Sequence, residues 1–146
     1  MSGPTMRDPL NDVLEWSWTP TAAQLLRFSA VTWNAHLIHV SRDHARQYGL
    51  EDVVVHSQLP ATVIATRCQA WLGSRWQLLE MTWQNRAPAY VDRALAMSAT
   101  VVRADDDLWL DVQVRRPDGV LTLTGALRFR TAATGRQTNE EQDFGL

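Results

Sequence analysis

The chain contains no lysine, and all fourteen of its basic side chains are arginine. Any phosphate on a ligand must therefore be met by guanidinium groups or by backbone amides. A single cysteine, Cys68, excludes an intramolecular disulfide and any cysteine-based metal cluster. No apolar run approaches the roughly 20 residues that span a bilayer. The first residues, MSGPTMRDPLNDVLEW, lack the basic-then-apolar order of a signal peptide. A cytoplasmic protein with no membrane partner is the expectation. Net charge is −2 and no basic block is present, so nucleic acid is not an expected partner either. Histidine is missing everywhere outside residues 33–59.

That window, WNAHLIHVSRDHARQYGLEDVVVHSQL, holds all four histidines, at 36, 39, 44 and 56. Histidine is the side chain whose ordinary pKa lies near neutrality, which suits a proton carrier at pH 7. Single histidines are usually surface or satisfied core residues, so clustering alone proves nothing. The order of signals is more telling. A predicted helix leads into Asn34-x-His36-x-x-His39, a polar loop follows, and Val53-Val54-Val55-His56 runs directly into a second helix.

At 146 residues, 45% hydrophobic and 21% charged, the composition fits one soluble globular domain with a real core. Residues 1–14 read as a flexible lead, 15–130 as the domain, and 131–146 as a polar, disordered tail. Trp16 and Trp18 share one face of a short strand over 15–18. Thr19-Pro20-Thr21 starts an amphipathic helix over 21–32, with Leu25, Leu26, Phe28 and Val31 as its apolar positions. Ser41 opens a short helix that Gly49 stops. Ser57 reads as a cap, and Pro60 is tolerated in the first turn of the helix that follows. That helix, 58–72, looks apolar nearly all round and is expected to be buried. Strands follow over 75–83, 90–103, 108–115 and 120–130, with a hairpin turn at Pro117-Asp118-Gly119. The class is α+β, an antiparallel sheet wrapped around one long central helix. Most of the seven tryptophans should be core or subunit-interface anchors.

These residues resemble the hotdog fold and its MaoC-like branch, the (R)-specific enoyl-CoA hydratases and 3-hydroxyacyl-thioester dehydratases. That branch carries roughly Asp-x-Asn-Pro-[Leu/Ile]-His after a helix, its Asp and His holding the catalytic water. Here Asn34 stands at the Asp position and His39 at the His position. The similarity is closer to the mitochondrial-type dehydratases and mesaconyl-C4-CoA hydratases, whose patterns resemble TWNAHLIHVS at 32–41 and VVHSQL at 54–59. It extends over about 16–130 and includes NRAPAYVD at 85–92. Val40 and Ser41 depart from the Tyr and Asp of the pattern. Ser57 replaces a glycine whose amide lies near the thioester carbonyl, and its side chain narrows that approach.

The resemblance implies a lyase acting on 2-enoyl or 3-hydroxyacyl thioesters of CoA or an acyl carrier protein. His39 would carry the proton and Asn34 would orient water. The amide cannot itself accept a proton, so a second base would have to be His36 or His56. The N-terminus of the 58–72 helix, at Ser57 and Gln58, would hold the enolate oxygen, such donors being worth roughly 3–4 kcal/mol of barrier. His36 either touches substrate or fixes its own loop, and His56 either touches substrate or braces the helix start. His44 reads as solvated. A zinc site of His36, His39 and His56 lacks a carboxylate or cysteine at standard spacing, so no metal and no cofactor is expected. Two other functions compete: a hotdog thioesterase, against which the absence of any carboxylate over 57–72 speaks, and a non-catalytic subunit of a heteromeric dehydratase. An open sheet edge predicts a homodimer, or a heterodimer with a second hotdog chain.

Overall fold

The structure is a computed structural model that describes residues 10–131. Of the expected lead and tail, 1–9 and 132–146 lie outside the described residues. Strand β1 (Val13–Trp18) starts two positions before the expected 15, because Asn11 N–H and β1 itself already pair with the sheet. Helix α1 (Ala22–Thr32) begins behind a capping box in which Thr21 and Gln24 satisfy each other's backbone N–H. Thr21 is thus the cap, and Pro20 lies before it. Only Leu25 and Ser29 of α1 are buried; Leu26 and Val31 of the expected apolar stripe stay in solvent.

A single 3-10 turn (Leu37–His39) and the short α2 (Arg42–Gln47) follow, the latter capped by Ser41 and ended at Gly49, whose φ is +75°. Helix α3 (Gln58–Leu72) comes next, then β2 (Trp76–Asn85), β3 (Leu95–Ala104), β4 (Leu108–Arg115) and β5 (Leu121–Thr131). The five strands form one antiparallel sheet in the order β1-β3-β4-β5-β2. In β4 the period of two is clean: Leu108, Leu110, Val112 and Val114 face the core and their neighbours face out. Helix α3 lies against that core face with Ile64 and Cys68 fully buried beside Leu25 of α1.

Three expectations need correcting. Helix α3 is buried on one face only. Gln58, Thr62, Thr66 and Ala70, four residues apart, form an exposed stripe, because the sheet of one chain covers a single side of the helix. Ser57 is not a side-chain cap. Its backbone is already helical, with φ −62° and ψ −31°, whereas a capping side chain needs an extended backbone. Residues 90–94 are not part of a strand. There Val91 N–H donates to Val53 O and Asp92 N–H to Pro20 O, and Asp92 turns the chain at φ 59° before β3 begins. None of the seven tryptophans is fully buried: Trp16, Trp18 and Trp76 pack against the core, and Trp33, Trp71 and Trp83 are exposed.

Burial pushes the Cys68 thiol up to about 12, which makes it an inert apolar filler. Gly125 of β5 faces Trp83 on one side and Val112 on the other. A Cβ there would run into the Thr82 carbonyl and approach Trp83 Cβ at 3.1 Å. Gly125→Ala should therefore lower stability by about 1–3 kcal/mol. Urea denaturation checks it: the midpoint falls while the slope is unchanged. An unmoved midpoint would show that the β2–β5 approach is not close-packed.

Candidate active site

Helix α1 ends at Trp33, which takes a left-handed backbone, φ 55° and ψ 25°, although it is not glycine. Such a turn costs an L-residue about 1–2 kcal/mol. It is held by the Trp33 and Asn34 N–H groups, both of which donate to Ser29 O. The indole contributes nothing to holding it, being 93% exposed. The sharp reversal brings Asn34 and the 3-10 turn back under the N-terminus of α3.

The other strap is the segment 53–55. Val54 forms an isolated bridge with Tyr90, and Val55 N–H donates to Ala89 O at 2.9 Å. Val54 then grips the histidine loop twice: its N–H donates to Ile38 O at 3.0 Å, and its carbonyl accepts from His39 Nδ1 at 2.7 Å. A carbonyl only accepts, so the His39 proton sits on Nδ1 and Nε2 is left with its lone pair. Burial pulls the His39 pKa below its ordinary value and the nearby His36 adds to this, while the Val54 bond opposes both. His39 is therefore a neutral base at pH 7.

Behind His39 lies His56, 1% exposed, its ring stacked on that of His39 at 3.7 Å and 18°. His56 Nε2 and Ser29 Oγ are 2.9 Å apart, and Phe28 packs against the ring at 5.1 Å. Burial and the adjacent His39 lower the His56 pKa to about 4, against only a weak opposing contact with the Asn34 backbone. That contact falls short of a formed hydrogen bond, leaving Nδ1 unpartnered.

A pocket of about 440 Å³ opens in front of His39. Asn34, His39, Val54, Ser57 and Gln58 line one side; Asn85–Ala89, Thr122 and Leu123 form the other. The structure thus brings Asn34, His39, Ser57 and Gln58 together. His56 lies behind His39 rather than in the pocket wall. His36 is turned outward: its Nδ1 accepts from Ile38 N–H at 3.3 Å and its own N–H reaches Asn34 Oδ1 at 3.4 Å. His44 is half-buried and packs on His36 and Tyr48 at 6.0 and 5.3 Å, which corrects the expectation of a freely solvated side chain. Among the described residues no group of three or more His, Cys, Asp or Glu side chains could hold a metal. In the same range no helix is long and apolar enough to cross a membrane.

Ser57 Oγ donates to Gln58 Oε1 at 3.3 Å, so both side chains lie folded at the mouth of the helix. At the start of α3, Leu59 N–H already donates to His56 O at 3.1 Å and Pro60 has no N–H, so the donors at the positive end of the helix dipole beside the pocket are the Ser57 and Gln58 amides. Sequence reading missed Ser29 and the Val54 carbonyl. Neither has a signal of its own, since one is a helix serine and the other a main-chain atom. The far wall was visible only as the NRAPAYVD string, without its position.

The sheet order and the single long helix against it define the class: a hotdog fold. The (R)-hydratase from A. caviae involved in PHA biosynthesis shares it, with a TM-score of 0.81 at 17% identity over 88% of this chain and 100% of that one. So does the ChsH1-ChsH2 complex from Mycobacterium tuberculosis, with a TM-score of 0.76 at 18% identity, covering 84% and 98%. At the level of sequence, the mesaconyl-C(4)-CoA hydratase of Chloroflexus aurantiacus is 27% identical over 127 residues, which are 86% of this chain and 43% of that relative. The chain thus spans less than half the length of that relative. Residues 3–91 match the hydroxyacyl-thioester dehydratase type 2 family, and the chain belongs to it. The family read from the two histidine motifs is the one found.

The buried, neutral His56 gives a stability prediction. An unfolded histidine titrates near 6.5 and the folded one at about 4. Between those values the unfolded chain binds the extra proton, so stability falls as pH drops through this window and is unaffected above it. The loss should be about 2–3 kcal/mol. Urea titrations at pH 7, 5.5 and 4.5 test it, and His56→Phe should flatten part of the slope.

Proposed function

We propose that the chain hydrates 2-enoyl thioesters, or runs the reverse dehydration of 3-hydroxyacyl thioesters, on CoA or an acyl carrier protein. The observation that supports this most is the free Nε2 lone pair of His39, a residue that lines the same pocket as Asn34 and the start of α3. In hydration, His39 takes a proton from water as the water oxygen bonds to C3. The imidazolium then delivers that proton to C2. Asn34 orients the water through its amide oxygen, which has lone pairs to spare beyond its long bond to His36 N–H. The enolate oxygen lies at the Ser57–Gln58 end of α3, where fixed dipoles need no reorganisation.

A thioesterase needs a carboxylate to activate water at the carbonyl, and neither α3 nor the pocket wall contributes one. His39→Ala should lower turnover of crotonyl-CoA by about 10²- to 10⁴-fold with an unchanged far-ultraviolet spectrum. Asn34→Asp should keep activity, since a carboxylate orients water as well as an amide does. Loss of the enoyl absorbance reads out both. Near-normal turnover by the alanine variant would remove His39 from the mechanism, and thiol release without hydration would favour the thioesterase.

The active assembly is a dimer, a homodimer in preference to a pairing with a second hotdog chain. Leu26, Val31 and Trp33 of α1 and its cap are 62%, 81% and 93% exposed. Edge strand β2 presents Leu79 and Trp83 at 41% and 39%. A relative more than twice as long leaves room for a second such unit in one chain. Unpaired edges and clustered aromatics recruit partners. Light scattering at micromolar concentration should give twice 16.5 kDa. An active monomer would overturn the dimer, and an inactive monomer would point to a separate partner chain.

A further inference from the structure

His56 is the least accessible of the four histidines, and the hydration scheme above gives it no step. It touches neither the pocket nor solvent, yet it is clamped from three sides: by Ser29 through Nε2, by Phe28 across its face, and by the stacked ring of His39. A histidine kept only to fill space would need no hydroxyl aimed at it from another helix. Its cost is also real, since one ring nitrogen is buried without a formed hydrogen bond.

We propose that His56 is a positioning residue for His39: with Ser29 it fixes the plane of the His39 ring and shields one face from water, keeping His39 an unprotonated base. Val54 O sets the rotation of the His39 ring about its own axis; His56 sets its tilt. Together they leave one orientation of Nε2, toward the pocket. The stacked ring covers one face of His39, whose burial disfavours a charge on it. For this to work His56 must itself stay neutral, because two imidazolium rings at 3.7 Å would repel. Its enclosure by Phe28, Ser29 and His39 ensures that. The charged or titratable groups facing His39 are His36, with ring centres 6.4 Å apart, His56 itself, and Arg86 across the pocket. No carboxylate lines that pocket to offset them.

The inference rests on His39 being the proton carrier, so the test reads His39 both with and without catalysis. Histidine NMR titration of the whole chain follows the His39 midpoint directly, and the pH dependence of crotonyl-CoA turnover follows its acid limb. In His56→Ala the His39 midpoint should rise toward 6.5, the acid limb should rise with it, and kcat at pH 7 should fall about 10- to 100-fold with little change in KM. His56→Phe keeps a flat ring in place and should return both midpoint and limb toward the wild-type values. Ser29→Ala leaves the stack but frees its tilt, so kcat should fall while the midpoint stays low. Should the alanine variant fail to fold, the phenylalanine and serine variants still decide the matter. A folded His56→Ala protein with an unmoved His39 midpoint and normal kcat would overturn the proposal. A shifted midpoint with an unshifted rate profile supports the positioning role and instead counts against His39 as the proton carrier.

Discussion

Everything at the site depends on one residue whose side chain does nothing chemical. Val54 donates its N–H to Ile38 O and accepts His39 Nδ1 on its carbonyl. The first bond fixes where the histidine loop lies, and the second fixes which nitrogen of His39 carries the proton. Both bonds are main-chain bonds on the Val54 side, so they are set by where the 53–55 segment runs. That segment is in turn tied to 89–91 by Val55 N–H to Ala89 O and Val91 N–H to Val53 O. Two stretches that look like a loop and a strand start are therefore a clamp. Salt bridges from Arg42 to Asp52 and from Arg93 to Glu51 tie down the same loop from outside, at 2.8 and 2.7 Å. Such exposed pairs are each worth little, up to about 1 kcal/mol. The backbone clamp, not the ion pairs, holds the geometry.

The fold was largely legible because its signals are local and periodic. The alternation in β4 and the Pro117-Asp118-Gly119 turn, with Gly119 at φ 83°, are both written in neighbouring residues. What failed depended on partners distant in the chain. The 90–94 stretch has strand composition, but its hydrogen bonds go to Val53 and Pro20, which no local pattern reveals. The tryptophans divide between core and surface for a related reason. A count says that large apolar rings exist, and it cannot say whether one chain or two will cover them. Helix α3 shows the same limit, for its Thr62 and Thr66 looked like minor interruptions until their four-residue spacing met a sheet on one side only.

The site shows the same division. Asn34, His39, Ser57 and Gln58 converge on one pocket, and all four lay in the histidine window. The window is short in sequence and shorter in space, because the left-handed turn at Trp33 folds it back under α3. The four histidines nevertheless separate into three environments. His39 faces the cavity, His56 is sealed behind it, and His36 and His44 pack outward with Tyr48. Spacing alone could not sort them, since the i, i+3 relation of His36 and His39 would suit a shared face. The 3-10 turn between them prevents that by using His36 Nδ1 as its own cap.

The change of glycine to serine at position 57 takes its meaning from this geometry. A glycine at a helix start lets a ligand reach the amides without hindrance. Ser57 holds a helical backbone and turns its hydroxyl onto Gln58 Oε1 instead of onto an amide of its own helix. The hydroxyl thus does not occupy the Ser57 and Gln58 N–H groups, while Leu59 N–H is already held by His56 O. The added side chain narrows the entrance without taking over the donors. A site of this kind keeps the electrostatics of a helix N-terminus while discriminating by shape at its mouth. In the reaction proposed above, the serine would bear on which substrates enter the pocket rather than on whether an oxyanion could be stabilised there.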